Sequence, residues 1–242
     1  MAIILIVHLA VIVLWQVLVD SFHEPNFILP SPLATLATLS SAKYSWVSNV
    51  AVTAAEILGG FALGAIVGVA LAVVFTWSRP ISLILLPLFV TLNMIPKVAL
   101  GPLVIVWFSY GIFPNILIAF SICFFPILLT TARGLSEVEP DLLDLVKSLR
   151  GSRWVLFRKI QLPGSLPYIF SGMKVGAILA VAGAIVGEFI ASDRGLGYLM
   201  IQVQSPAMMM AIVLLTLLGV ALYGLVLGLE RLFVVRDVRL QQ

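Results

Sequence analysis

Six long apolar stretches, separated by shorter polar segments, constrain this chain more than any other feature of its sequence. They cover residues 2–19, 49–76, 81–107, 112–132, 168–192 and 207–229. A helix that crosses a bilayer needs about 20 apolar residues, and lipid forces each backbone polar group to find its partner within a helix or a closed barrel. The stretches lack the alternation of apolar and polar residues that a barrel strand requires. The sequence therefore predicts an all-α membrane protein with about six transmembrane helices in a single domain, residues 1–242.

The composition supports a membrane environment. Of the 242 residues, 62% are hydrophobic and only 10% are charged, whereas a soluble domain carries roughly 25% charged residues. A globular core of this size cannot bury so much apolar surface, so the surrounding solvent is expected to be lipid. The stretch 2–19 follows no basic segment and precedes no small-residue cleavage site, and we expect a retained first helix rather than a signal peptide.

The lysines and arginines are unevenly distributed among the polar segments. If both termini are cytoplasmic, segments 77–80, 133–167 and 230–242 hold ten of the fourteen, whereas the outer loops hold only Lys43 and Arg194. The ten are Arg79, Arg133, Lys147, Arg150, Arg153, Arg158, Lys159, Arg231, Arg236 and Arg239. Because Lys and Arg are enriched in cytoplasmic segments of membrane proteins, the sequence predicts a multi-pass protein with both termini in the cytoplasm. This pattern reflects membrane orientation, and we expect no nucleic-acid binding.

The segment between the fourth and fifth stretches, residues 133–167, is predicted to form two short helices. Pro140 suits the first turn of a helix, and acidic residues around it favour a helix N-terminus through the helix dipole. These acids are Glu139, Asp141 and Asp144. Lys147 and Arg150 complement the C-terminus of this first helix, and Gly151 is expected to end it.

The second helix of the segment is expected to begin after Ser152, a favourable N-cap residue, and to run to Leu162-Pro163. It carries Trp154 and Phe157 beside Arg153. Charged amphipathic helices of this kind bind either an anionic lipid surface or a protein partner. Physical chemistry alone leaves these two alternatives open.

The spacing within this segment resembles the EAA loop of ABC importer permeases. The resemblance rests on Asp144-Leu-Val146, on position 150 and on Ile160-Gln-Leu-Pro163. In that family the loop forms coupling helices that insert into a groove of the ATPase. The sequence departs from the family pattern at Asp144, where Glu is usual, and at the next two positions, where Ala is usual. It also has Arg150 where Gly is usual, with Gly151 one position later.

Further stretches resemble permeases of the nitrate/sulfonate/taurine type, which include members assigned to thiamine pyrimidine precursors and to riboflavin. They are Leu29-Pro-Ser-Pro32, Pro96-Lys-Val-Ala-Leu-Gly-Pro102 with Trp107-Phe108, Gly183-Ala-Ile-Val-Gly-Glu-Phe189 and Gly195-Leu-Gly-Tyr198. Their order, and their positions relative to the apolar stretches, make the resemblance specific. It extends over nearly the whole chain.

The resemblance implies the fold of a type I ABC importer permease in the inner membrane of a bacterial cell. It implies import of a small solute delivered by an extracytoplasmic binding protein, a second permease copy in a homodimer, and cytoplasmic ABC ATPase subunits that bind ATP–Mg²⁺. Because the chain contains no Gly-x-x-x-x-Gly-Lys-[Ser/Thr] phosphate loop, we expect no cofactor on it and no enzymatic activity of its own. Candidate substrates are small organic anions (sulfonate, taurine, nitrate) and vitamin precursors of the pyrimidine or riboflavin type, and the sequence leaves this choice open.

An ion-gradient-driven secondary transporter or channel is the alternative function. It predicts inverted internal repeats, and the sequence shows none. A metal site is not expected either, because His8 and His23 stand alone.

Polar residues within the apolar stretches are candidates for the substrate path, since such groups are costly in a membrane. Glu188 either lines the path or pairs with a basic group. Lys97 lies near the middle of the third stretch, close to Asn93, and is expected to face the bundle interior. It either attracts an anionic substrate or forms a salt bridge with Glu56 or Glu188. Glu56 lies near the start of its stretch. Its side chain either pairs with Lys97 or simply reaches the membrane–water interface.

Aromatic residues and glycines complete the candidates. Phe124 and Phe125 either stack on a planar ligand or belong to the core or to the lipid-facing surface. Two stretches carry glycine at every fourth position, and such faces let helix backbones approach closely in lipid. These glycines are Gly60, Gly64 and Gly68 in the second stretch, and Gly183 and Gly187 in the fifth. They predict tight packing within the chain or between two copies.

Overall fold

The computed structural model describes residues 2–22, 25–137 and 140–234, and these residues are mostly α-helical. In chain order the α-helices are α1 (Ala2–Phe22), α2 (Pro32–Ala37), α3 (Trp46–Trp77), α4 (Arg79–Asn93), α5 (Gly101–Phe108), α6 (Ile112–Ser136), α7 (Pro140–Ser148), α8 (Arg153–Leu156), α9 (Leu162–Ala191), α10 (Leu196–Gln202) and α11 (Ser205–Val234). Short 3₁₀ turns cover Thr38–Ser40, Ala42–Tyr44 and Lys97–Leu100, and a π-helical turn covers Phe157–Gln161. The predicted all-α fold is confirmed.

Four helical segments of the described chain are long and apolar enough to cross a membrane. They are Ala42–Trp77, Ile112–Ser136, Arg153–Ile190 and Ser205–Val234. A fifth results if α4 and the segment Lys97–Phe108 count as one bent span. The predicted first span corresponds to α1, in which Leu9–Phe22 is a shorter apolar segment than these four. The chain is a multi-pass helical membrane protein.

Helix α6 lies at the centre of the bundle, between α3 and α9. Gly60 and Gly64 of α3 face it so closely that an added Cβ would lie 2.5 Å from the Cβ of Ala119 and 2.6 Å from the Sγ of Cys123. Gly68 continues the same contact one turn further on. The absence of side chains at these glycines lets the backbone of α3 lie directly against α6, which is how helices pack tightly in lipid.

The second glycine stripe, on α9, also packs against α6, and Ala119 is a contact of both stripes. A Cβ added to Gly183 would lie 2.6 Å from the Cα of Ala119, and one added to Gly187 would lie 2.8 Å from the Oδ1 of Asn115. The residue numbers rise in opposite directions along this contact, so α9 runs antiparallel to α6, whereas α3 runs parallel to it. Both stripes are therefore used for packing within one chain.

The third predicted span, 81–107, is broken rather than continuous. Helix α4 ends at Asn93, and the following segment, Lys97–Phe108, is bent away from it by 83°. Pro96 explains the break, because it has no N–H to donate and it disfavours helical geometry at the residue before it. Its own backbone is extended, with φ −60° and ψ 109°.

The second helix of segment 133–167 does not end at Leu162-Pro163, and this prediction is wrong. The chain continues from α8 through the π-helical turn into α9 as one apolar helical segment, Arg153–Ile190. A helix normally loses one backbone bond at an internal proline. Here the π-helical turn directly precedes Pro163 and changes the hydrogen-bond register, so the helix passes through the proline.

The bundle has two ends, which we name by their residues. The loop end holds Trp77, Ser136 and Arg153, and the far end holds Trp46 and Ala191. Segment 25–45 folds over the far end, where the indole N–H of Trp46 donates to the carbonyl oxygen of Thr38 at 2.9 Å.

Candidate functional site

The turn between α7 and α8 is a compact helix-ending motif. The N–H of Gly151 donates to the carbonyl oxygen of Val146 at 2.8 Å, and Arg150 adopts a left-handed conformation with φ 48°. A 6→1 bond across a left-handed residue is the Schellman arrangement, in which the left-handed residue is usually glycine. The left-handed position that usually holds glycine is therefore occupied by Arg150 and not by Gly151.

Gly151 has a different reason to be glycine. A Cβ added there would lie 2.7 Å from the Cγ1 of Val146 and 3.2 Å from its carbonyl oxygen. Arg150 thus supplies the unusual backbone conformation, while Gly151 permits the close approach of the chain to the last turn of α7.

Ser152 caps α8, as predicted. Its backbone is extended, with φ −76° and ψ 160°, and its Oγ accepts the N–H of Val155 at 3.3 Å. Because α8 continues into α9, the capped end of α8 is the loop end of a helix that reaches the far end of the bundle.

An aromatic cluster fixes α8 against the loop end of α3. The ring of Trp77 lies 5.8 Å from that of Trp154 and 5.6 Å from that of Phe157, both edge to face. The rings of Trp154 and Phe157 stack at 5.8 Å. Edge-to-face and offset aromatic pairs add stability beyond the apolar area that they bury. The start of α8 is thereby held to two spans at once, α3 and α9.

The loop also presents an exposed mixed surface. Leu149 is 73% exposed and Trp154 is 53% exposed, next to charged residues that reach solvent. The exposed charged residues of the loop include Asp141, Asp144, Arg150 and Arg153. Lys147 lies in α7, and Glu139 lies outside the described residues.

At the far end, the first backbone N–H groups of α10 are bound by side chains of two other helices. The N–H of Gly195 donates to the Oδ1 of Asn49 at 2.9 Å, and that of Leu196 donates to the Oγ1 of Thr53 at 2.8 Å. The N–H groups of Gly197 and Tyr198 both donate to the Oε2 of Glu188. Side chains of α3 and α9 therefore act together as the N-cap of α10.

Glu188 is buried rather than exposed to a path within this chain. It is 1% exposed, and its Oε1 accepts the hydroxyl of Thr53 at 2.5 Å. Gly195 has φ 109°, and a Cβ there would overlap the carboxyl group of Glu188. The glycines of Gly195-Leu-Gly197 thus allow the backbone to approach this carboxyl group, which gives that sequence stretch a structural reason.

Glu56 is also buried, at 0% exposed, and does not reach the interface. Its Oε1 accepts the side-chain N–H of Asn115 at 2.8 Å. Thr53, which donates to Glu188, lies three residues before Glu56 on α3, about one helical turn away. The two carboxyl groups therefore belong to one buried polar cluster. Sequence reasoning missed Asn115 and Thr53, because their role depends on contacts between helices that are distant in the chain.

The other candidates for the substrate path take no part in the hydrogen bonds described for this polar cluster. Lys97 follows the break after α4, and its ammonium group donates to the main-chain oxygen of Asn93 at 2.5 Å and to its Oδ1 at 2.9 Å. Phe124 is 9% exposed and packs against Phe89, with ring centroids 5.8 Å apart. Phe125 is buried in the same apolar cluster. A role of these residues in contacting substrate stays a prediction.

The fold and these sites define a helical membrane protein whose rigidly anchored loop projects from one end of the bundle. Residues 60–236 match the family described as binding-protein-dependent transport system inner membrane component, and the chain belongs to this family. It is 35% identical, over 88% of both chains, to a probable ABC transporter permease protein of Haemophilus influenzae.

Two relatives with assigned substrates align over almost the entire chain. The riboflavin transport system permease protein RibX of Chloroflexus aurantiacus is 34% identical over 92% of this chain and 85% of its own. The formylaminopyrimidine transport permease protein ThiX of Halalkalibacterium halodurans is 29% identical over 93% of this chain and 91% of its own. A putative aliphatic sulfonates transport permease protein of Bacillus subtilis, SsuC, is 27% identical over 78% of this chain and 69% of its own.

The chain is a transmembrane permease subunit of an ABC importer. Membership of this family implies that it works with an ATPase and with a substrate-binding protein. The comparisons give no support to an ion-gradient-driven secondary transporter or channel.

Proposed function

We propose that residues 140–157 form the coupling surface for a cytoplasmic ABC ATPase that binds ATP–Mg²⁺, while this chain has no enzymatic activity and no cofactor. The observation that carries the proposal is the continuity of α8 with α9. A protein that pushes on the exposed side of this loop moves the helix that packs directly on α6. Glu139 and Lys147, predicted as part of the same surface, belong to the proposal.

The proposed orientation follows from this assignment. If the loop end binds a cytoplasmic ATPase, both termini lie in the cytoplasm of a bacterial cell and the far end faces outward. The distribution of Lys and Arg supports this orientation. The substrate-binding protein then delivers its solute at the far end, near segment 25–45 and α10.

The substrate path is proposed to form between two copies of the chain in a homodimer. Within one chain the two glycine stripes bring α3 and α9 into backbone contact with α6, so no passage remains between these three helices. Symmetric dimers are the commonest oligomers. A passage on the two-fold axis of such a dimer would be lined by the outer surfaces of the two helical bundles. Asn93, Lys97, Phe124, Phe125 and Glu188 stay candidates to influence it.

We propose a vitamin or vitamin precursor with a planar heterocyclic ring as the substrate. The support is that permeases named for riboflavin and formylaminopyrimidine transport align over 92% and 93% of this chain. A small organic anion such as a sulfonate, taurine or nitrate is the second candidate, favoured by the sulfonate permease relative and by the ammonium group of Lys97. Uptake assays with riboflavin, a formylaminopyrimidine and taurine distinguish the two classes.

Leu149→Asp tests the coupling surface. Leu149 is 73% exposed, so its replacement leaves the permease folded, but a buried charge at an interface costs several kcal/mol. We expect loss of ATPase co-purification and of ATP-dependent uptake. The matched control is Val47→Asp, which is 86% exposed at the far end and is expected to retain the ATPase. Full ATPase binding by Leu149→Asp would contradict the assignment.

Cysteine labelling tests the orientation separately. The sole cysteine, Cys123, is fully buried, so the maleimide is expected to label the natural chain very little. In right-side-out vesicles an impermeant maleimide is expected to label Val47→Cys and to spare Leu149→Cys until the membrane is opened. The reverse pattern would invert the proposed topology.

A further inference from the structure

The transport function proposed above does not explain why the carboxyl groups of Glu56 and Glu188 are buried in one polar cluster. The two groups come from α3 and α9 and are buried in one polar cluster. Thr53, about one turn before Glu56 on α3, donates to Glu188, and Asn115, which donates to Glu56, packs against Gly187. Two adjacent buried carboxylates repel each other, and each also loses its hydration. The pair therefore needs either a cation or a proton.

No basic side chain supplies that cation within the described part of the chain. Glu56 is the only charged residue of α3, and α10 has none. On α9, Lys174 lies 14 positions from Glu188, ~21 Å along the helix axis, and is paired with Glu230 at 2.9 Å.

The remaining charged and titratable groups around the pair are also accounted for. On α6, Arg133 lies at the loop end and pairs with Glu137. At the far-end surface, Arg194 pairs with Asp193 at 3.8 Å, and both are exposed. The ammonium group of Lys97 is bound by Asn93. The other titratable groups on the adjacent helices are the buried thiol of Cys123 and the phenols of Tyr168, Tyr198 and Tyr223, and Arg231 lies in the last turn of α11.

The hydrogen bonds distinguish the two carboxyl groups. Glu188 receives three donors, from the hydroxyl of Thr53 and the N–H groups of Gly197 and Tyr198. Such donors stabilise an ionised carboxylate. Glu56 receives one donor, from Asn115 to its Oε1, and its buried Oε2 receives no donor among the described residues.

We propose that this pair is a proton-binding site, in which Glu56 carries one proton and donates it in a hydrogen bond to the Glu188 carboxylate. The proton leaves Glu56 to solvent at the far end when the site opens. Its loss places a second negative charge beside Glu188, and repulsion between the two buried carboxylates then opposes the packing of α3 against α9, on which α10 is docked. Docking of α10 against α3 and α9 thus depends on the proton.

Infrared spectroscopy of the full chain, purified with its ATPase in lipid nanodiscs, tests the site directly. We expect a carbonyl band of a protonated carboxylic acid that shifts in D₂O. The band should be lost in Glu56→Gln and retained in Glu230→Gln, a matched control because the Glu230 carboxylate is paired with Lys174. A wild-type spectrum without such a band, or a band that survives in Glu56→Gln, would overturn the proposal.

Thermal melting against pH provides the second measurement. Glutamine keeps an N–H donor toward Glu188, so Glu56→Gln is expected to fold and to lose the fall in melting temperature that wild type shows at alkaline pH. A variant that fails to fold would overturn the assignment of a neutral donor at this position. If sodium or a divalent ion raises the melting temperature of wild type but not that of Glu56→Gln, the site holds a metal cation and the proposal is wrong. These readouts need no transport, so they stand apart from the proposed function.

Discussion

Replacing Arg150 by glycine tests how the turn between α7 and α8 is held. A side chain with a Cβ costs roughly 1–2 kcal/mol in the left-handed region, which Arg150 occupies with φ 48°. Glycine removes that cost, but its greater freedom in the unfolded chain destabilises the folded turn by about 0.5–1 kcal/mol. We therefore expect a net local stabilisation of ~1 kcal/mol, which corresponds to a factor of ~5 in the opening equilibrium.

Hydrogen exchange at the N–H of Gly151 reads this equilibrium, because that N–H is bonded to the carbonyl oxygen of Val146 across the turn. Arg150→Gly should exchange several-fold more slowly than wild type. Arg150→Ala is the control, since it removes the charge and keeps the Cβ, and it should show no gain in protection. Equal or faster exchange in Arg150→Gly would refute the conformational argument.

The same pair of variants separates backbone strain from a contact with the ATPase. If the guanidinium group binds the ATPase, both variants lose affinity to the same extent. If Arg150 acts only through its conformation, Arg150→Gly binds at least as tightly as wild type. Co-purification at graded salt concentration measures the difference, because exposed ionic contacts weaken as salt is raised.

Further predictions concern the cap, the packing and an ion pair. Ser152→Ala removes the side-chain cap of α8 and is expected to cost ~1 kcal/mol, seen as faster exchange in the first turn of α8; unchanged exchange would count against the cap. Gly60→Val forces side-chain atoms into α6 and is expected to lower the melting temperature in nanodiscs by an amount equivalent to ~1–3 kcal/mol. Gly224→Val, at a position with no atom within 4 Å of an added Cβ, should melt like wild type, and equal losses in both would contradict the packing account. Lys174→Met leaves Glu230 unpaired and should destabilise more than the double variant Lys174→Met/Glu230→Met, measured by the same melting assay; a double variant no better than the single one would show that the pair is unimportant.

The helical bundle was predictable because its signals are local. The length of an apolar stretch sets a span, and the residue pattern around Ser152 sets a helix start. The bend after α4 was only half predictable. Pro96 indicates that the helix breaks, but the 83° angle between the two segments depends on how α5 packs against α6 and α9.

The far-end polar cluster was not predictable from local patterns. Glu188 stands out as a carboxyl group within an apolar stretch, yet its partners Thr53 and Glu56 come from a helix more than 130 residues earlier in the chain. Gly195-Leu-Gly197 is the one local signal, because two glycines flanking a single residue indicate a close backbone approach. Glu188 reaches these glycines within nine residues of chain, but only the packing of α9 against α3 brings it to Thr53.

The π-helical turn at Phe157–Gln161 has a consequence for the angular phase of the long helix that contains it. An α-helix advances by about 100° per residue, and a π-helical turn accommodates one extra residue within an α-helical path. The aromatic ring of Trp154 and the carboxyl group of Glu188 therefore keep their mutual orientation only with this residue count. Deleting one residue of the turn would restore regular α-helix and rotate one of these two sites by about 100° relative to the other. The loop and the far-end cluster would then each keep their local sequence, but they would no longer have the same relative angle about the axis of the helix that joins them.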